Sequence, residues 1–144
     1  MTTFEAILLT VITASTPLLL AALGELVSER SGVLNLGVEG MMAMGAACSF
    51  AIAVTLDSTV LGVLAGMVAG ILMAALFAFA VLGLAANQVG SGLALTILGV
   101  GAAGLIGAPF VGARRDPVSH VAIPGLSELP AVGRILFPQD LFVY

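Results

Sequence analysis

The sequence predicts an all-α fold: a polytopic transmembrane helix bundle of about four membrane segments with broken or re-entrant portions. Three observations lead there. Hydrophobic residues make up 60% of the 144 residues and charged residues only 8%, whereas soluble domains carry about a quarter charged residues. The apolar residues fall in long runs and not in stripes backed by a solvated face, so they must meet lipid or other membrane helices. Glycines and polar side chains interrupt those runs, and non-helical backbone at membrane depth is tolerated only where protein or a water-filled cavity receives it.

The first segment is expected over residues 6–23, about the minimum length for a span. Its N-terminal flank, MTTFEAILL, has no positive stretch and carries Glu5, which reads as a retained span and not as a cleaved leader. Pro17 removes a backbone donor and should kink the helix. Thr10, Thr13, Ser15 and Thr16 either bond their own backbone or line a pathway. Glu25, Glu29 and Arg30 then read as a short polar loop, an exposed cluster in which Arg30 can pair with either glutamate.

The second segment is expected over residues 33–56, entered through GELVSERSGVLNLGVEGMMAMGA, residues 24–46. If its entrance is helical, Ser31, Asn35 and Glu39 are spaced i, i+4, i+8 and share one face. A carboxylate near the bilayer centre costs about 2.5–3.5 kcal/mol on insertion scales, so Glu39 should face partner helices, a water-filled cavity or a pathway. Asp57 and Ser58 supply a turn and a helix cap. The third segment, residues 59–85, carries Gly62, Gly66 and Gly70 every fourth residue, a small-residue face for helix packing. Asn87 and Gln88 interrupt the apolar run before the fourth segment, residues 91–111. Its many glycines make that helix poor unless protein surrounds it.

From 112 to 140 the composition shifts to a long polar loop holding three of the four arginines, four of the six prolines and the single histidine. A loop of that length implies a function or short surface helices. His120 has no second histidine or cysteine near it, so no metal site is expected. Residues 141–144, LFVY, read as the truncated start of a further transmembrane segment, and the chain as an N-terminal fragment of a longer protein.

A net charge of −4 and the absence of lysine exclude a nucleic-acid footprint and a polybasic contact with anionic lipid. Cys48, the one cysteine, reads as a small packing residue. The chain holds no phosphate loop, paired histidines, nucleophile elbow or cysteine cluster, so no catalytic residue, cofactor or metal is expected. Two polar clusters remain: Ser31, Asn35 and Glu39, and Asn87, Gln88 and Ser91. Amides and hydroxyls at helix interruptions suit an uncharged polar solute, because they donate and accept, and broken helices present backbone groups to substrates in transporters. The same residues also serve to bond helix to helix.

Residues 15–42, STPLLLAALGELVSERSGVLNLGVEGMM, resemble the start of permease subunits of ABC importers for nucleosides and simple sugars. That family is related to the ribose and branched-chain amino-acid permeases. Asn35-Leu36-Gly37-Val38-Glu39-Gly40-Met41-Met42 carries the match most specifically, and Asn87-Gln88-Val89-Gly90-Ser91-Gly92-Leu93 carries a second. Ser15 stands where the family has alanine, and Gly90 where relatives more often have an aliphatic residue.

The resemblance implies a multi-pass subunit in the cell membrane that lines part of the path for a small polar solute and performs no chemistry. It pairs with a second permease subunit, the same or different, with cytoplasmic ATP-binding subunits that hydrolyse ATP, and with an extracytoplasmic solute-binding lipoprotein. It also places the loop 112–140 outside the cell and residues 25–30 inside. The competing readings are a channel or secondary transporter without an ATPase partner, and a structural membrane-assembly subunit in which every polar residue bonds helices together.

Overall fold

The computed structural model describes residues 3–114, 120–122 and 138–140. Four helices follow in order: α1, Thr3–Arg30; α2, Val38–Thr55; α3, Thr59–Ala78; and α4, Gln88–Gly107. A π-helical turn, Phe79–Gly83, extends α3, and a 3₁₀ turn, Ala108–Phe110, extends α4. With those turns all four are long and apolar enough to cross a membrane, so the chain is a multi-pass helical membrane protein.

Two compact units divide the chain, one of residues 1–22 with 116–144 and one of residues 23–115. In the first, the described part of the loop expected over 112–140 holds two three-residue strands, β1 (His120–Ala122) and β2 (Pro138–Asp140). They pair antiparallel with His120 opposite Asp140. The rest of that loop beyond Arg114, and the expected further segment at 141–144, lie outside the described residues.

The second unit is built on α2, which packs against both α3 and α4. Its buried cluster joins Met73, Phe77, Val81 and Leu95, and Val33, Met41 and Met44 pack against it from partly buried positions. Few large side chains are buried, and apolar residues such as Ile71, Leu72, Ile97 and Leu105 are exposed. In water that ratio would be untenable; in a bilayer, lipid tails are as good a solvent for these side chains as the protein interior.

Glycine lets the helices approach. A Cβ on Gly62 would meet Ala53 Cβ at 2.6 Å and one on Gly66 would meet the Gly45 carbonyl oxygen at 3.0 Å, so α2 and α3 touch there nearly main chain to main chain. At Gly70 a Cβ would meet nothing within 4 Å. The tightest crossing is α2 on α4: a Cβ on Gly40 would lie 2.7 Å from Thr96 Cα, and one on Gly99 would overlap the Gly40 backbone.

Three bounds differ from the sequence expectation. α1 does not stop near residue 23; Glu25, Glu29 and Arg30 are helical, because charged side chains at a span's end can be solvated without unwinding it and Arg30 complements the C-terminal dipole. α2 begins at Val38, five residues later than expected. α4 begins at Gln88, where the Asn87 side chain accepts from the Gly90 N–H at 2.9 Å and caps the helix.

Within α1, the hydroxyls of Thr13, Ser15 and Thr16 donate to the carbonyls of Leu9, Val11 and Ile12. Each satisfies itself on its own helix, around a Pro17 that lies inside it.

Candidate functional site

The site grows from the way α1 ends. Gly32 adopts φ +82°, a left-handed conformation that glycine takes without the penalty of a Cβ. The Gly32 N–H donates to the Glu29 carbonyl at 2.9 Å and the Val33 N–H to the Ser28 carbonyl at 3.1 Å. These paired bonds close a helix on a glycine just past its end. From there to Gly37 the chain is non-helical, and its backbone groups lack the partners a helix would supply.

Side chains take their place. Gln88 clamps the segment from α4, its Oε1 accepting from the Leu34 N–H at 2.8 Å and its Nε2 donating to the Gly32 carbonyl at 3.3 Å. Thr96 donates its hydroxyl to the Leu36 carbonyl at 2.9 Å. Glu25 Oε1 accepts from the Asn35 N–H at 2.9 Å. Ser28 donates to the Val33 carbonyl at 2.9 Å, and Asn35 Oδ1 accepts from the Gly37 N–H at 2.9 Å, a turn that asparagine forms readily. The Asn35 amide nitrogen reaches Met41 Sδ at 3.7 Å, a weak acceptor.

The depth of this segment follows from the residues it touches. Leu36 lies against Gly92, where a Cβ would meet the Leu36 nitrogen at 2.8 Å, and it bonds Thr96, eight residues into α4. At 1.5 Å per residue the segment therefore runs about 12 Å along α4 from its first residue. α2 starts opposite the middle of a span-length helix. Backbone at such depth must be satisfied by protein, and Gln88, Thr96, Glu25, Ser28 and Asn35 do so for the N–H groups of Leu34, Asn35 and Gly37 and the carbonyls of Gly32, Val33 and Leu36.

Of the candidates from sequence, Asn35 and Gln88 meet around this segment, while Asn87 caps α4 beside it. Ser31 donates to the Val27 carbonyl at 2.9 Å on its own helix end, and the Ser91 N–H donates to the Asn87 carbonyl at 2.9 Å in the first turn of α4. The expected single helical face of Ser31, Asn35 and Glu39 does not form, because residues 31–37 are not helical. Glu39 stands apart: it is exposed in the first turn of α2, next in sequence to Gly40 at the α2–α4 crossing, and its charge complements the helix dipole there.

Glu25 and Thr96 escaped the sequence reading. Thr96 gives no signal within an apolar run, since its role depends on the approach of Leu36. Glu25 was legible in principle: Arg30 in a last turn followed by Gly32 marks a helix end, which would have placed Glu25 on a helix facing the chain that folds back.

A bundle of span-length helices, with a polar non-helical segment between α1 and α2 lying along the first half of α4, is a build that solute-conducting membrane proteins use. The chain belongs to the family described as the branched-chain amino acid transport system permease component, which matches residues 7–138. It is 43% identical over 128 residues to the "Putative glucose ABC transporter permease protein TsgC13" of Haloferax volcanii, covering 86% of this chain and 39% of the relative. It is 37% identical over 132 residues to the guanosine ABC transporter permease protein NupQ of Bacillus subtilis, covering 84% and 41%. With the nucleoside ABC transporter permease protein NupC of Lactococcus lactis it shares 29% over 147 residues, 95% and 46% of the two chains. The chain thus spans less than half the length of these relatives. No solved structure gives a significant match.

Proposed function

We propose that the chain forms part of the transmembrane permease of an ATP-driven importer for a small polar solute, such as a nucleoside or simple sugar. ATP hydrolysis occurs in separate cytoplasmic subunits, a second permease subunit completes the path, and an extracytoplasmic binding lipoprotein delivers the solute. The family match supports the class, and the names of the relatives support the solutes.

The observation that carries the pathway is Glu39. Its carboxylate is exposed on the bundle beside a crossing at the middle of α4, where lipid would be a costly neighbour; a polar path shared with a second subunit accommodates it. Asn35 and Gln88 hold the non-helical backbone beside it, Asn87 caps α4, and Ser31 and Ser91 are assigned to the same path by their place in the sequence. The glycines at 62 and 66 fix α3 against α2, and Gly70 leaves a bare strip of α3 for a further helix.

The test is uptake of labelled nucleosides and sugars by the complete complex in proteoliposomes. Glu39→Gln should lower uptake tenfold or more while the complex still assembles. Wild-type uptake and wild-type solute-stimulated ATPase in that variant would remove Glu39 from the path.

A further inference from the structure

The importer reading leaves unused the residue that ties the broken segment to α1. Glu25 sits in the last two turns of α1, partly buried, and its two oxygens have different fates. Oε1 accepts from the Asn35 N–H at 2.9 Å, across ten residues of chain. Oε2 is buried and has no hydrogen-bond donor among the described residues. Closing this contact therefore makes one charge-assisted bond and strands one acceptor. A carboxylate oxygen held out of water without a donor is costly, so much of what the bond gains is offset while the contact stays closed.

The other holds on the segment are of a different kind. Gln88 and Thr96 reach it from α4, and each of their bonds pairs a neutral donor with a neutral acceptor. Ser28 also lies on α1, but it bonds Val33 next to the Gly32 turn. Among the described residues Glu25 alone joins α1 to the segment beyond that turn with an ionisable group, and Gly32 at φ +82° is a pivot immediately before it.

We propose that Glu25 is a positioning residue for transport, a releasable latch that holds the 32–37 segment against α1 in one conformation and lets it go in another. Opening returns both carboxylate oxygens to solvent and frees the segment to stay with α4 through Gln88 and Thr96 while α1 turns about Gly32. The proposal rests on the importer reading for its link to uptake, but the latch itself can be read without any transport.

The experiment is amide hydrogen exchange on the protein in lipid nanodiscs, with uptake by the reconstituted complex measured in parallel. Glu25→Gln keeps an oxygen for the Asn35 N–H and replaces a carboxylate by a neutral amide, far cheaper to bury. The latch should tighten: Asn35 exchange slows at least threefold, and the kcat of uptake falls at least threefold with KM within twofold of wild type. Glu25→Leu removes the latch, and exchange at Asn35 should rise at least tenfold while the α3 amides are unchanged.

Asn35 exchange within twofold of wild type in Glu25→Gln would overturn the latch even if Glu25→Leu fails to fold. Slowed exchange with wild-type uptake would make Glu25 a structural contact and overturn its role in transport. A wild-type complex that takes up no solute overturns the importer reading instead, and the exchange data still decide whether the latch exists.

Discussion

At the scale of single residues, two kinds of side chain hold the bundle: those that are missing and those that stand in for a helix. At Gly99 a Cβ would overlap the backbone of Gly40, whereas at Gly101 it would meet nothing within 4 Å. Gly99→Ala should therefore cost about 1–3 kcal/mol by overpacking, and Gly101→Ala should be neutral or stabilise by up to about 1 kcal/mol through helix propensity. Thermal unfolding of both variants in the same detergent checks the contrast. Gln88 offers a second test, because its amide both donates and accepts. Gln88→Leu should lose about 1–3 kcal/mol for the backbone groups left unpaired. Gln88→Glu keeps the acceptor for Leu34 but loses the donor to Gly32, so it should show the Gly32 half of the loss, read by the same melts together with exchange at Leu34.

At the scale of elements, the question is where helices stop. α1 is closed by Gly32 at φ +82°, and Gly32→Ala should cost about 1–2 kcal/mol, the penalty of placing a Cβ in the left-handed region. The expected signature is a lower melting temperature with the helical circular dichroism of the folded state unchanged. α3 stops in another way: its π-helical turn is followed by Ala85 at φ +51°, so Ala85→Gly should relieve strain there.

Much of this layer was legible in the sequence. The spans followed from apolar runs whose length alone excludes a soluble strand or helix, and Ser58, read as a cap, does accept from the Leu61 N–H. What misled was periodicity applied across a break. Ser31, Asn35 and Glu39 have helical spacing, but Asn35 two residues before Gly37 is also a turn signal, and the turn wins because Gln88, Thr96 and Glu25 supply the bonds a helix would have made. Those three partners lie 10 to 60 positions away in sequence, and no local pattern reveals them. The glycines of α4 called for protein around that helix, and Gly92 and Gly99 are where Leu36 and Gly40 approach it.

At the scale of the whole molecule, the exposed apolar surface and the exposed Glu39 make opposite demands, one for lipid and one for a polar surrounding. A second subunit on the Glu39 face meets both. If the importer reading holds, proteoliposomes containing both permease subunits and the binding lipoprotein but no ATPase partner should show no solute accumulation, and adding the partner with ATP inside should raise it at least tenfold over the ATP-free control. Flux through the permease alone, driven by an ion gradient, would instead favour a secondary transporter. Between α2 and α3 lies an apolar cleft of about 550 Å³ with Met44, Cys48 and Leu72 on its walls; its lining suits a lipid tail or a neighbouring helix and is unsuited to a polar solute.

The meeting of Gly40 with Gly99 bears on how motion in this bundle can be followed. Where two helices touch through side chains, a cross-linker or a pair of engineered cysteines can be threaded between them. Here the main chains themselves abut, and the junction has no room for a probe on either side. Reporters of the relative movement of α2 and α4 belong at least one helical turn away from it, where a small rotation about this fulcrum is magnified into a distance change large enough to measure.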